Sequence, residues 1–387
     1  MLQLQKPKKF ILTQINIYRL SLTPYTSSIL KPIINNRQIL WWGRFDPMYA
    51  RNHVIRQQLV NSGWSITDFH PRICALGALE AHLRHLKQPA AVWVPCFRQR
   101  DLIAARHWCD HQNVPLIFDP LISAYDKQVW ERFKFNASSR AARHLLRRER
   151  NLFTQADLVI ADTPCHADYF TQTLGVPPTK ICVVYVGADE AMFTPAPERV
   201  PNQTLDVLFY GSFLPLHGTQ TIIEAARIYQ GPAIRWSMLG DGPAKPECQK
   251  SAANLSNVIF EQQQPYPSLP RRIHQADILL GVFGTTQKAG RVIPNKVFQA
   301  LAAGRPVITR AAPAYPATVC ASPAMALIPP GNAEALSTKV AEWAVDRATL
   351  AERGQLAHQL YASNFSSEVI RAQLSTVMNK ISNQAQK

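Results

Sequence analysis

From about residue 37 to residue 328, short apolar runs of strand length alternate with longer segments of helical pattern. This alternation restricts the fold more than any other feature of the chain. Candidate strands fall at residues 39–42, 64–68, 91–95, 115–119, 158–161 and 181–186. Helical patterns such as 51–62, 101–112 and 140–154 lie between them. Near-continuous apolar strands separated by helices predict a parallel sheet covered on both faces. Residues 193–204 interrupt the series with three prolines and read as a linker. The alternation then restarts, with strands at 207–210, 235–239, 258–260, 278–282, 306–309 and 326–328. The fold class is therefore α/β, as two doubly wound parallel-sheet halves of similar size facing across a cleft. A length of 387 residues fits two such domains. The expected boundaries are a basic extension at 1–36, a first domain at 37–193, a linker at 194–204, a second domain at 205–345 and C-terminal helices at 346–387.

The rest of the composition narrows the class. A hydrophobic fraction of 47% and a charged fraction of 18% describe a folded chain rather than a disordered one. No run approaches the ~18 apolar residues needed to span a bilayer. Seven cysteines without CxxC or metal-ligand spacing read as reduced, mostly buried thiols of a cytosolic protein. The formal charge of +16 attracts anions, whether nucleotides, nucleic acid or acidic lipid. No stretch interleaves aromatic and basic residues for stacking on bases, so a nucleic-acid partner is not expected.

Ligands of open parallel sheets bind beyond the carboxyl ends of the strands, so the loops there are the candidate site. Gly43-Arg44-Phe45-Asp46-Pro47-Met48-Tyr49-Ala50-Arg51 follows the first strand and reads either as a tight turn or as an anion-binding one. Its counterpart in the second half is Gly211-Ser212-Phe213-Leu214-Pro215-Leu216-His217-Gly218. Gly240-Asp241-Gly242 follows the next strand, as a turn or as a bare backbone surface for a nucleobase. The most specific signal runs from Lys288 to Thr309. A helix over 294–303, with Pro294 in its first turn and Gly304 at its stop, gathers free N–H groups, Asn295, Lys288, Arg291 and Lys296 into a phosphate site. Gln299 lies on that helix's face or beside it. Asp119 closes a strand and suits a sugar hydroxyl, developing positive charge, a helix cap or a nearby arginine. Residues 140–150 carry five arginines and one glutamate, in a pattern of either a solvated helix face or one resting on anionic lipid.

Taken together, Tyr49-Ala50-Arg51-Asn52, Ala161-Asp162-Thr163, Val186-Gly187-Ala188-Asp189, Phe209-Tyr210-Gly211-Ser212-Phe213, Gly240-Asp241-Gly242-Pro243 and the block from Phe298 to Ile308 resemble the retaining glycosyltransferases of family 4. The resemblance covers residues 37–361 and implies the GT-B fold of two Rossmann-like domains. It implies a nucleotide-sugar donor in the C-terminal domain, an acceptor in the N-terminal one, and a last helix crossing back to the first domain. The family usually carries two glutamates eight residues apart, and Arg291 and Gln299 stand there in this chain. It usually carries an Arg and a Lys in the loop opening the second domain, where Ser212 and His217 stand here. The expectation is that phosphate-binding cations have moved from one loop to the other.

On this reading the catalytic group is Asp119, His217 and Arg291. The donor contacts are Gly43, Gly211, Ser212, Gly218, Asp241, Gly242, Lys288, Asn295, Lys296 and Gln299. Arg44, Tyr49 and Arg51 lie on the acceptor side. Neither metal nor cofactor is expected beyond the nucleotide-sugar co-substrate. The implied partners are that donor, a glycan or lipid-linked acceptor and an anionic membrane surface, for a cytoplasmic protein peripheral to the inner face of the membrane. A GT-B-fold protein that binds a nucleotide sugar or a partner without turnover stands as the alternative.

Overall fold

The computed structural model describes residues 36–195 and 204–384. The basic extension and most of the expected linker lie outside the described residues.

The first half contains β1 (Gln38–Trp42), α1 (Ala50–Asn61), β2 (Ser65–Phe69), α2 (Gly77–Leu83), β3 (Ala91–Val94), α3 (Leu102–Gln112), β4 (Leu116–Phe118), α4 (Arg140–Phe153), β5 (Leu158–Ala161), α5 (Pro164–Gln172) and β6 (Ile181–Val183). A π-helical stretch, Asp126–Glu131, precedes α4. The second half contains β7 (Leu205–Tyr210), α6 (Thr219–Ile228), β8 (Ile234–Leu239), α7 (Lys245–Ser251), β9 (Val258–Glu261), α8 (Leu269–Gln275), β10 (Ile278–Leu280), α9 (Gln287–Arg291), α10 (Asn295–Ala302), β11 (Val307–Arg310), α11 (Ala317–Cys320) and β12 (Met325–Ile328). Three helices follow: α12 (Ala333–Val345), α13 (Arg347–Phe365) and α14 (Ser367–Gln384).

Every strand pairing is parallel. The sheet orders are β2-β1-β3-β4-β5-β6 and β9-β8-β7-β10-β11-β12. All twelve expected strands are present; the inner ones are apolar enough to be buried on both faces, while the edge strands β2 and β9 stay partly exposed. Strand order reverses direction between β1 and β3, and between β7 and β10. These two points are where an open sheet leaves a crevice.

On one face of the first sheet, Ala81 of α2, Trp108 of α3, Phe153 of α4 and Phe170 of α5 share a core. On the other face, Val54 and Ile55 of α1 pack with Ile370, Leu374 and Val377 of α14, so the last helix lies on the first domain's sheet. A third cluster runs from Val297, Phe298 and Leu301 of α10 to Val186, Ala188 and Phe193 of the first half and Tyr361 of α13. The halves are thus joined by apolar packing behind the crevices. Two boundaries differ from the sequence reading. Pro294 caps α10 from outside the helix, with φ −65 and ψ 144, rather than occupying its first turn. β6 ends at Val183 rather than Val186, where the Arg51 guanidinium takes the Val184 and Tyr185 carbonyls at 2.5 and 3.0 Å.

Candidate functional site

The crevice of the second sheet is built by glycines. A Cβ on Gly242 would sit 1.7 Å from the Ser212 carbonyl oxygen, and one on Gly240 2.1 Å from that of Gly211. The turn after β8 therefore lies backbone against backbone on the loop after β7. That loop is also stitched to the segment after β10: Phe283 N–H donates to the His217 carbonyl at 2.9 Å and Gly284 N–H to that of Leu216 at 3.1 Å. Gly218, in the left-handed region at φ +61, makes this approach sterically open.

Three groups converge where these loops meet the start of α10. A Cβ on Gly211 would lie 3.1 Å from both the His217 ring and the Lys296 Nζ. Lys296, in the first turn of α10, is buried, and its Nζ has no hydrogen-bond partner. Its nearest compensation is the Phe209 ring, 3.9 Å from Nζ to centroid. Burial pushes the amine's pKa well down. The His217 ring accepts the Leu214 N–H at Nδ1, 3.2 Å, which leaves Nε2 as its donor in the neutral form. Burial, and secondarily Lys296, push its pKa well down, so the neutral form is held. An uncompensated lysine amine and an imidazole N–H donor beside the N-terminus of α10 make an anion site.

The neighbouring groups are already engaged. Gln299 accepts from the Tyr210 hydroxyl at 3.0 Å and donates to that of Tyr266 at 3.2 Å, keeping one N–H and one lone pair in reserve. Asn295 lies beside the Tyr49 hydroxyl from the first domain. Tyr49 is itself packed edge-on to Phe97. Ser212 and Asp241 are exposed, and the Asp241 carboxylate accepts the Gly242 N–H at 2.8 Å.

Lys288 and Arg291 do not reach the Lys296 amine. Buried Lys288 pairs with buried Glu131. Arg291 pairs with buried Asp126 at 2.8 Å and lies over the Tyr169 ring, while Thr163 donates to its carbonyl at 2.6 Å. The two cations grouped with Lys296 on sequence thus fasten α9 to the π-helical stretch of the first domain. The sequence offered no signal for this, since Glu131 lies 157 residues from Lys288.

In the first half, Asp119 and Arg51 are brought together rather than turned to a ligand. Arg51, fully buried, holds Asp119 through Nε at 2.9 Å and Nη2 at 3.1 Å. Burial still pushes the Asp119 pKa up despite the guanidinium. Of the alternatives open for Asp119, the structure shows the arginine partner. Gly43, at φ +126, sits under Arg98 and Asp101, where a Cβ would meet the Arg98 side chain at 3.1 Å. Arg44 is exposed at the crevice rim, 3.4 Å from the Arg72 carbonyl. Sequence reading missed one polar pair, buried His166 with Asp162 after β5. The i, i+4 spacing after a strand was the available signal. Among the described residues, no three His, Cys, Asp or Glu side chains gather as metal ligands would, and no helix is long and apolar enough to cross a membrane. The seven cysteines are unpaired and four of them are buried.

Two family models match the two halves: "Glycosyl transferase 4-like domain" over residues 43–187 and "Glycosyl transferases group 1" over residues 204–346. Together they span well over half of the chain. The chain belongs to the GT-B glycosyltransferases. Curated relatives include the putative colanic acid biosynthesis glycosyltransferase WcaL of Salmonella typhimurium, 28% identical over 60% of this chain and 59% of the relative. The Escherichia coli WcaL is 26% identical over 63% and 62%. The chain thus matches about three-fifths of the length of these relatives. Among solved structures, Anabaena HepE in complex with UDP superposes with a TM-score of 0.67 at 16% identity, covering 89% of this chain and all of that one. The sucrose-phosphate synthase of Thermosynechococcus elongatus reaches a TM-score of 0.70 at 17% identity, with 90% and 100% covered. These solved structures share the GT-B fold with this chain.

Proposed function

We propose that this GT-B glycosyltransferase moves a hexosyl-type sugar from a nucleoside-diphosphate donor to a hydroxyl acceptor, with retention at the anomeric carbon. The observation that carries this reading is the buried Lys296 ammonium without a partner, placed at the switch point of the second sheet beside His217 and the start of α10. The leaving group is an anionic diphosphate, so negative charge grows on it as the glycosidic bond breaks. Lys296, the His217 Nε2–H and the free amides of α10 meet that charge without reorganising, which is the main electrostatic source of rate. The free N–H and lone pair of Gln299 suit the ribose hydroxyls, and Gly240-Asp241-Gly242 offers backbone to the base. The resemblance to the retaining glycosyltransferases of family 4 is what supports retention.

The likeness to WcaL, a putative colanic acid biosynthesis glycosyltransferase, supports an acceptor in polysaccharide biosynthesis, either a glycan or a lipid-linked saccharide. The UDP and UDP-glucose bound in HepE put uridine donors first in any panel. A protein that binds a nucleotide sugar without turnover is the second reading. It is favoured by Arg291, which stands where the family has an acid and is spent on Asp126.

Calorimetric titration with a panel of nucleotide sugars tests the site. Wild type binds one of them, and Lys296→Ala weakens that affinity at least tenfold, the worth of about 1.4 kcal/mol. Equal affinity in both proteins removes Lys296 from the site. Release of nucleoside diphosphate on adding a surrogate acceptor separates transfer from binding alone.

A further inference from the structure

Among the described residues, six that are not glycine hold a positive φ: His85, Phe97, Asn113, Leu121, Phe133 and Phe213. His85 and Asn113 close α2 and α3, and Phe133 follows the π-helical stretch, places where a left-handed residue commonly ends a helix. Leu121 and Phe213 are buried in apolar cores whose packing holds them there. Phe97 has neither reason. It ends no helix and is 45% exposed. The Arg98 N–H donates to the Pro95 carbonyl at 3.3 Å, closing a turn in which Phe97 stands third at φ +65. Cys96, the second residue, is not among those of positive φ. That is the type II pattern, whose third place suits glycine. A bulky side chain there is strained. Single exposed apolar side chains are ordinary, but one held in the glycine place of a turn is not.

The turn also fixes where the ring stands. It follows β3 directly, at the point where strand order reverses between β1 and β3. The Phe97 ring meets the Tyr49 ring at 5.1 Å and 71°. Tyr49 lies beside Asn295 at the start of α10, one residue before Lys296. Phe97 is therefore on the first-domain wall of the crevice, one aromatic ring away from the start of α10. The polar side chains next to it in the turn are engaged: Cys96 donates to Asn52 at 3.2 Å, and Arg98 holds Asp101 through Nε at 2.7 Å. The strained ring is the part of this turn left for a ligand.

We propose that Phe97 is a specificity-determining residue for the acceptor, its ring taking the C–H face of the sugar ring that carries the attacking hydroxyl. A pyranose is polar round its rim and apolar on the face where its axial hydrogens point. It can cover an aromatic ring while its hydroxyls keep their hydrogen bonds. An acyclic polyol or a peptide hydroxyl offers no such face. The acceptor is thus chosen by its ring as well as by its hydroxyl. The inference rests on the proposed transfer for the place of the reaction, and it adds the residue that selects the acceptor there.

Saturation-transfer NMR on the full chain tests it, with methyl glucopyranoside and methyl galactopyranoside as probes, glycerol as the probe without a ring, and each run with and without UDP. Wild type binds at least one of the glycosides and not glycerol. Phe97→Asn puts in a residue that accepts left-handed backbone, and it weakens glycoside binding at least tenfold, while Phe97→Tyr retains it. The Phe97→Asn protein melts at or above the wild-type temperature, because the strain is relieved; a ring needed for packing would lower it. UDP affinity measured by calorimetry is the same in all three proteins. Wild type that binds a glycoside but no UDP would mark a failed donor site and leave the Phe97 comparison standing. Three results overturn the proposal: equal glycoside binding by wild type and Phe97→Asn, no glycoside bound by wild type in either state, or a melting temperature more than about 3 °C lower in Phe97→Asn.

Discussion

Lys296 is costly as a buried cation, and that cost gives it a signature. Burial holds its pKa down in the free protein, and a bound diphosphate favours the charged amine. At any pH where the free amine has lost its proton, donor binding should therefore take one up, seen as a binding enthalpy that depends on the buffer's ionisation heat. Unfolding returns the amine to the ordinary lysine value, so the unfolded chain binds the extra proton. Stability from this group rises with pH through the window between the two values and is poorest below it. Lys296→Met should accordingly raise the melting temperature by about 2–4 °C, the scale of ~1 kcal/mol in a large domain, while abolishing donor binding. A lower melting temperature would show that the amine has a partner. Asp119 gives the opposite case. Removing its charge leaves Arg51 buried and unpaired, so Asp119→Asn should lose about 3–5 kcal/mol in denaturant titration. A fully stable variant with reduced turnover would instead place Asp119 in the chemistry. In the sequence Asp119 stood out as the close of a strand and Lys296 as one of the cations at the start of a helix. Which of them had a partner was not legible, because Arg51 lies 68 residues from Asp119.

At the scale of elements, the loops after β7 and β8 work as one unit because glycine lets their backbones touch. Gly242→Ala, at φ +146 and with its Cβ 1.7 Å from the Ser212 oxygen, must push the two loops apart. A strain of about 1–3 kcal/mol is expected, with donor affinity falling more than the melting temperature does. Calorimetry beside thermal denaturation checks this, and an unaltered affinity would separate the turn from the site. These loops were readable in sequence, since glycine pairs after a strand and before a helix have few other uses. The π-helical stretch was not readable. It depends on Glu149 of α4 reaching back to Ser123, Ala124 and Tyr125. No local pattern carries that contact.

For the whole molecule, the two halves meet through apolar packing behind and through ion pairs in front. The Lys288–Glu131 and Arg291–Asp126 pairs and the approach of Tyr49 to Asn295 all cross from one domain to the other. Breaking the front contacts should free the halves to open about the packed rear. Asp126→Asn/Glu131→Gln is therefore expected to show a larger radius of gyration in X-ray scattering, shrinking again when donor is added. An unchanged radius in every state would mean that the rear packing alone sets the closure. On this view Arg291 has exchanged contact with a donor for contact with the opposite domain. A cation can do so where carboxylates stand across the cleft.

The sequence by itself determined twelve strands, their division into two parallel sheets and the positions of the glycine loops, because apolar runs of strand length and left-handed backbone leave local marks in composition. It also marked the start of α10 as a place for anions. Only the tertiary structure decided which cations remain for a ligand. Lys296 was left without a partner, while Lys288, Arg291 and Arg51 were claimed by carboxylates far away in the chain. Charge pairing depends on distance in space, and over the 68 to 165 residues of chain between these partners that distance is set by how the sheets pack rather than by any spacing in the sequence.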